Sequence, residues 1–280
     1  MLLQRPRLWE IPQPAPAVYA RLAHKVEQLQ QRLRDIVARH AAVKLASSLA
    51  VEDMVLTDAL AQIGGQTTGQ TTRNTTNHTA GDAAGNTGNT SNTDDTSHAG
   101  TRVEVFTLQT GRLHAETLDL LAAVRQRYPQ LPFRLYQPDA QALADYVRRH
   151  GENAFYDSVD MRHLCCAIRK VEPLNRALAD ADAWLTGQRR EQSLTRSALA
   201  LAEHDSARNI CKYNPIFDWS EQDVWAYILQ FDIPYNALYH QGYPSIGCEP
   251  CTMPVKAGED IRSGRWWWEQ RDSKECGLHT

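Results

Sequence analysis

The sequence predicts an α/β protein with a mainly parallel sheet and helices on both faces. Two observations carry this expectation. Short apolar runs alternate with helical segments between residues 41 and 187, the pattern of successive strand–helix units. Polar turns follow three of the runs, at Ser47-Ser48, Gln109-Thr110-Gly111 and Gly187-Gln188-Arg189. Open parallel sheets take ligands beyond the carboxyl ends of their strands, so the three turns are expected to converge on one ligand.

Residues 8–40 read as a helix, because Val26, Leu29, Leu33 and Ile36 recur at helical spacing with charges between them. Ala41 to Ser47 reads as a strand, and Glu52 to Gln62 as a helix with two acidic residues in its first turn. The turn between them, Ser47 to Ala50, places hydroxyls and backbone N–H groups at a helix N-terminus. It is an anion seat or an ordinary serine cap. Arg102 to Leu108 and Pro132 to Tyr136 read as further strands, with helices at His114 to Tyr128 and Ala140 to His150. Cys165-Cys166 is expected near the start of a helix that continues to Ala179, with a fourth strand from Ala183 to Gly187. Ser220 to Gln230 reads as a helix with Ser220 as N-cap and Asp223 three positions on, close to a capping box. Trp266, Trp267 and Trp268 read as a hydrophobic anchor for the C-terminal tail.

Residues 64–100 change character. Gly, Thr, Asn, Ser and Asp dominate, and a segment so poor in apolar residues cannot bury enough surface to offset its ordering entropy. It is expected to be a disordered insertion in a surface connection. Its Asn-x-Thr triplets resemble glycosylation acceptors, but repetition of Thr and Asn produces such triplets by chance.

The six cysteines carry the chemistry. Four lie in two close pairs, Cys165-Cys166 and Cys248-Glu249-Pro250-Cys251. Four thiolates can complete the shell of a structural zinc or an iron–sulfur cluster. Zinc sites use spaced pairs that wrap one small ion. A directly adjacent pair suits a larger target, whose separate iron corners each take one sulfur. Cys165, Cys166, Cys248 and Cys251 are therefore read as ligands of one [4Fe–4S] cluster. Lys170 falls four residues after Cys166, on the same helix face. There it either offsets the negative cluster or is a simple helix-surface lysine. Cys211 has no assigned role and reads as a buried thiol.

The bulk properties narrow the class. A formal net charge of −3 over 280 residues does not give the basic surface that non-specific nucleic-acid binding needs. No apolar run approaches membrane-spanning length, and the N-terminus lacks the apolar core of a signal peptide. A cytoplasmic protein is expected, using its cysteines for metal binding or catalysis rather than disulfides.

Several separate motifs resemble the assimilatory adenylylsulfate reductases, cluster-containing relatives of the phosphoadenylylsulfate reductases. The resemblance spans roughly residues 40–62 and 101–280. Ser48-Leu49-Ala50-Val51-Glu52-Asp53 stands where that family has a modified pyrophosphate-binding loop. Phe106 to His114 is similar to its adenosine-side turn, with Gln109 where an acidic residue is frequent. Thr186 to Ser193, Lys212-Tyr213-Asn214-Pro215, Gly247 to Cys251 and Lys274-Glu275-Cys276-Gly277-Leu278-His279 complete the set. Ala50 replaces a common loop glycine.

The resemblance implies an adenine nucleotide alpha hydrolase-like fold with a mobile C-terminal tail. Residues 1–63 and 101–261 would form a nucleotide-binding reductase domain with one [4Fe–4S] cluster per chain. Residues 64–100 would be the insertion, and 262–280 the catalytic tail. The implied reaction reduces adenylyl sulfate to sulfite and AMP in sulfate assimilation. Cys276 would be the nucleophile, rather than a stray exposed thiol, and would form an S-sulfocysteine. Thioredoxin or a glutaredoxin-like dithiol protein would discharge it. Substrate contacts are expected from Ser47, Ser48, Leu108, Gly187, Lys170, Arg196, Arg262, Arg265 and His279. Alternatives are a solvated surface charge for any one arginine and an idle exposed ring for His279. No nucleic acid or membrane partner is expected, and a homo-oligomer is left open. Competing expectations are a phosphoadenylylsulfate reductase, a nucleotide-activating sulfurtransferase of the same fold, and a non-catalytic nucleotide sensor.

Overall fold

The computed structural model describes residues 6–67, 102–192 and 196–269. The first described residues bridge Leu8 to Lys256, antiparallel, far along the sequence. Helix α1 (Pro16–Arg39) begins eight residues later than its apolar spacing suggests. Pro12, Pro14 and Pro16 are the reason, because proline disfavours helix in the residue before it but suits a first helical turn. Strand β1 (Ala42–Ala46) and helix α2 (Val51–Thr67) follow. Helix α2 continues through Gly64 and Gly65, so the first four residues of the expected insertion are helical; residues 68–101 lie outside the described residues.

Strand β2 (Arg102–Leu108), helix α3 (Ala115–Arg127), strand β3 (Phe133–Tyr136) and helix α4 (Ala140–His150) fall within two residues of their expected bounds. The next region departs from expectation. The cysteine pair ends helix α5 (Val159–Cys166) rather than starting a long one. A π-turn (Ala167–Val171) leads into helix α6 (Glu172–Leu178). Pro173 explains the break, because it has no N–H for the residue 169 carbonyl and crowds it, and the ladder widens to Glu172 N–H on the Ala167 carbonyl.

Strand β4 (Ala183–Leu185) is followed by a hairpin that the sequence reading does not contain: β5 (Ala202–Asp205) and β6 (Ile210–Tyr213). Helix α7 (Glu221–Gln230) carries a complete capping box between Ser220 and Asp223. The six strands run in the order β3-β2-β1-β4-β6-β5, all parallel except β5, which is antiparallel to β6.

Alternating strand residues bury both faces. Val43, Leu45, Val105 and Leu185 pack with α1, α2, α3 and α7, while Phe106 and Trp184 pack on α6. The chain direction reverses across β1, with β2 on one side and β4 on the other. That switch point opens the crevice beyond the strand ends.

Candidate active site

Three strand ends supply the floor of the site. After β1, Leu49 takes a left-handed backbone (φ 63°), which turns the chain into α2. The Asp53 carboxylate accepts from Ser48 N–H at 2.7 Å and Ser48 Oγ at 2.8 Å, and also from the Gly187 N–H. It ties the turn after β1 to the turn after β4. Burial pushes this carboxyl up to about 6, against the pull of the Ser48 donors. A β-carbon at Gly187 would lie 2.5 Å from Asp53 Oδ1, so only glycine fits. Val51 N–H donates to the buried Tyr239 hydroxyl at 3.1 Å.

After β4, Thr186 Oγ1 donates to Asn214 Oδ1 at 2.6 Å. Arg189 turns inward, with Nη2 2.8 Å from Glu52 Oε1, which also accepts from Gln192 Nε2 at 3.0 Å. Arg189 is thus a buried structural cation rather than a ligand contact. Gln192 in turn accepts from Arg196 Nη1 at 2.6 Å.

After β2, Gly111 adopts φ 74° and the turn is closed from within by Gln109 Oε1, which accepts from Gly111 N–H at 3.0 Å. Arg169 Nη1 donates to the Thr110 carbonyl at 2.7 Å, and Thr110 Oγ1 lies 3.3 Å from Cys248 Sγ. The π-turn therefore holds the turn after β2 against the distant thiol.

These turns surround a cavity of about 260 Å³. It is lined by Ser47, Ser48, Leu108, Gly187, Lys170 and Arg196, together with Arg262 and Arg265. Eight of the nine expected substrate contacts thus meet there; His279 lies outside the described residues, as does Cys276. Four cations face one crevice, a concentration suited to an anion. Gly247 leaves the space that the Arg265 guanidinium fills.

One end of the cavity abuts the thiols. Cys248, Cys251, Phe155 and Trp266 form a separate buried group, the half-buried Cys165 packs against it, and Cys166 is buried and acts electrostatically on Cys251. The Cys248–Cys251 turn is held by Glu249 N–H on the Arg112 carbonyl and by Tyr156 Oη on the Pro250 carbonyl. Burial pushes the Cys251 thiol up to about 12, and the Cys248 charge adds to the shift. Burial raises Cys248 too, but Lys170, the Thr110 hydroxyl and Arg265 together bring it below the ordinary thiol value. Cys211 is half-buried on β6, outside this group.

The reading of the tryptophans as an anchor is correct for Trp266, which is 1 % exposed, but Trp267 is 51 % exposed. Residues 262–269, expected as tail, pack on the body of the protein instead. Sequence reasoning did not single out Asp53, Tyr239 or the Thr110–Cys248 contact. The Ser48-to-Asp53 motif and the Gln-Thr-Gly turn pointed to the right places. Their partners lie 134 to 188 residues away and show only in three dimensions.

The fold and site define an α/β protein with a cation-lined crevice, suited to an anionic ligand, beside a four-cysteine group. The chain belongs to the phosphoadenosine phosphosulfate reductase domain family, whose profile matches residues 85–254. It is 52 % identical to the adenosine 5'-phosphosulfate reductase of Neisseria meningitidis serogroup B, over 99 % of this chain and 98 % of that protein. The enzyme of the same name from Burkholderia cepacia is 50 % identical, over 95 % and 91 %. Among solved structures, a phosphoadenylyl-sulfate reductase from Candida auris superposes with a TM-score of 0.59 at 23 % identity, covering 88 % of this chain and all of the other. Yeast FAD synthetase reaches 0.53 at 14 %, covering 87 % of this chain and 70 % of the other. These two establish the fold alone.

Proposed function

We propose that this protein reduces adenylyl sulfate to sulfite and AMP in sulfate assimilation and cysteine biosynthesis, with thioredoxin or a similar dithiol protein as electron donor. One observation carries the reading: Lys170, Arg196, Arg262 and Arg265 line a crevice that ends at the four-cysteine group. The near-full-length relatives are named for this substrate.

The residues present fit a [4Fe–4S] cluster. Cys165, Cys248 and Cys251 pack in one group and Cys166 acts electrostatically on Cys251, so four thiols meet at one place, the number that a thiolate-held cluster takes. The buried indole N–H groups of Trp266 and Trp268 find no acceptor in the protein, although Trp266 belongs to the cysteine group and Trp268 packs on it. Cluster sulfur is an acceptor of the right kind. When bound, the cluster supplies structural closure and a negative centre that Lys170 and Arg265 balance.

The rest is thiol chemistry. Lys170 and the arginines bind the phosphate and sulfate oxygens. The Cys276 thiolate attacks the sulfur of the sulfate group, an S–S bond forms, the S–O bond to phosphate breaks, and AMP leaves with that electron pair. His279 and Lys274 would favour the thiolate. A thiolate of the dithiol protein then attacks Cys276 Sγ and expels sulfite, and its second thiol resolves the mixed disulfide and restores Cys276. The donor ends oxidised by two electrons, the number adenylyl sulfate gains.

Among the described residues no helix is long and apolar enough to cross a membrane. A reducing cytoplasm suits both the free thiols and the dithiol donor.

The test is anaerobic incubation with adenylyl sulfate alone, followed by mass analysis of the tail peptide. An S-sulfonated Cys276 with about one AMP released per chain is expected. An adduct on Cys211, or normal turnover by Cys276→Ser, overturns the reading. Preference for phosphoadenylyl sulfate in the same assay overturns the substrate assignment.

A further inference from the structure

Gln188, in the turn after β4, lines the cavity and is only 6 % exposed. Among the described residues its Oε1 finds no donor. Its backbone is held in place, because Gln188 N–H donates to Thr186 Oγ1 at 3.3 Å and that hydroxyl donates to Asn214 Oδ1. Tyr239 lines the same cavity from another part of the chain and is 2 % exposed. Its Oη accepts from Val51 N–H at 3.1 Å, and among the described residues nothing takes the hydroxyl proton. Burial and the Glu52 charge raise the Tyr239 pKa, so the phenol keeps that proton at neutral pH. Trp225 packs edge-on to the Tyr239 ring at 5.1 Å, with Trp9 at 6.1 Å, which restricts the ring.

Both residues bear on the same short stretch. Tyr239 holds Val51, and a β-carbon at Gly187, the residue before Gln188, would lie 2.8 Å from Glu52 Cβ and 3.2 Å from Asp53 N. One side chain leaves an acceptor unused and the other a donor. A buried acceptor without a partner has lost its water with no return, so a fold that keeps one at a cavity wall calls for a reason. A ligand hydroxyl satisfies both groups, since it donates one proton and also accepts. An ionised phosphate or sulfate has no proton to give, and the amino group of an adenine ring donates but does not accept. The other walls suit the other parts of a nucleotide. Lys170, Arg262 and Arg265 fit its anionic end, and Leu108 and Leu174 give an apolar surface for its base. The sugar, which joins base to anion, is left for Gln188 and Tyr239.

We infer that Gln188 and Tyr239 bind one ribose hydroxyl of the nucleotide, with Gln188 Oε1 accepting its proton and the Tyr239 hydroxyl donating to its oxygen. The inference rests on the functional reading above for a nucleotide as the occupant. It makes the two residues determinants of sugar specificity, because a nucleotide without that hydroxyl leaves Oε1 unsatisfied and shut off from water. It also explains why the ligand-free fold keeps the acceptor, which serves binding rather than stability.

The test titrates the full chain, purified anaerobically, with AMP, its 2′-deoxy and 3′-deoxy analogues, and purine riboside monophosphate, which lacks the amino group. Wild type is compared with Gln188→Met, which keeps the volume without the amide, with Gln188→Ala as a second variant, and with Tyr239→Phe. Wild type should bind one deoxy analogue about tenfold more weakly than AMP. Gln188→Met should bind AMP about tenfold more weakly and no longer distinguish it from that analogue, while its preference against the other ligands is unchanged. Tyr239→Phe should show the same convergence. Melting of the ligand-free protein separates binding from structure: Gln188→Met should melt at or above the wild-type temperature, since it removes a buried acceptor without a partner. Tyr239→Phe should melt lower, because it leaves Val51 N–H without an acceptor. Equal binding of AMP and both deoxy analogues by wild type overturns the inference. So does an equal loss for all four ligands in the Gln188 variants, or a convergence on purine riboside monophosphate, which would place Oε1 on the base. A protein that shows the expected pattern but forms no sulfite from adenylyl sulfate sinks the functional reading and leaves the sugar contact standing. One that binds neither AMP nor adenylyl sulfate overturns both.

Discussion

The Arg265 guanidinium occupies the space that a side chain at Gly247 would need: a β-carbon there would lie 2.4 Å from Arg265 Nη2 and 2.6 Å from Cζ. The residue before Cys248 thus determines where a crevice cation can sit. Gly247→Ala is expected to displace Arg265 and raise KM about tenfold, the equivalent of one charge-assisted hydrogen bond. Iron content should be retained, since the cysteines are unchanged. Steady-state kinetics beside iron analysis checks both.

The four-cysteine group predicts about four iron and four sulfide per chain in anaerobic protein. Cys165→Ser and Cys251→Ser should each lose the brown colour, the bound iron and the activity together. Stoichiometric zinc without sulfide in active protein is the contrary result.

Helix α2 ends at Thr67 and β2 starts at Arg102, so the segment to remove is 68–101. Replacing it with a short Gly/Ser linker should leave reductase turnover nearly unchanged and raise the melting temperature slightly, because loop closure costs about 0.6 kcal/mol per doubling of length. Calorimetry and turnover of the deletion protein decide the matter.

Asp223 predicts acid sensitivity. Burial pushes its carboxyl up, but the Ser220 donors, Lys25 and Arg21 bring it down to about 2. A depressed carboxylate contributes stability above its unfolded pKa of about 4 and loses it as pH falls toward 2. The contribution is at most roughly 2 kcal/mol, since the half-exposed Arg21 is screened. Asp223→Asn should lower denaturant stability at pH 7, and the gap from wild type should close by about pH 2.

Much of this was legible in the sequence because it is local. Strands β2 and β3, helices α3 and α4 and the Ser220–Asp223 capping box depend on neighbours within a few residues, and their bounds were read within two residues. The turns at the strand ends were identifiable because open sheets bind ligands there. Three features were not. The prolines before Pro16 override helical spacing, Pro173 opens the π-turn after the cysteine pair, and the β5–β6 hairpin has strands only four residues long. The Arg162–Glu269 contact spans 107 residues and leaves no periodic trace.

The pairing of Leu8 with Lys256 bears on the order of events during synthesis. Trp9 N–H meets the Val255 carbonyl and Ala257 N–H meets the Arg7 carbonyl, so one of the first described segments is completed by one of the last made. A contact of such sequence separation forms late, after loop closure across almost the whole chain. The loop bearing Cys248 and Cys251 ends against this strap. On the ribosome, at about 5–20 residues per second, the N-terminal strap would therefore wait some 12 to 50 seconds for its partner. Metal capture at Cys165-Cys166 before then would meet a half-built site, because Cys248 and Cys251 are made more than 80 residues later.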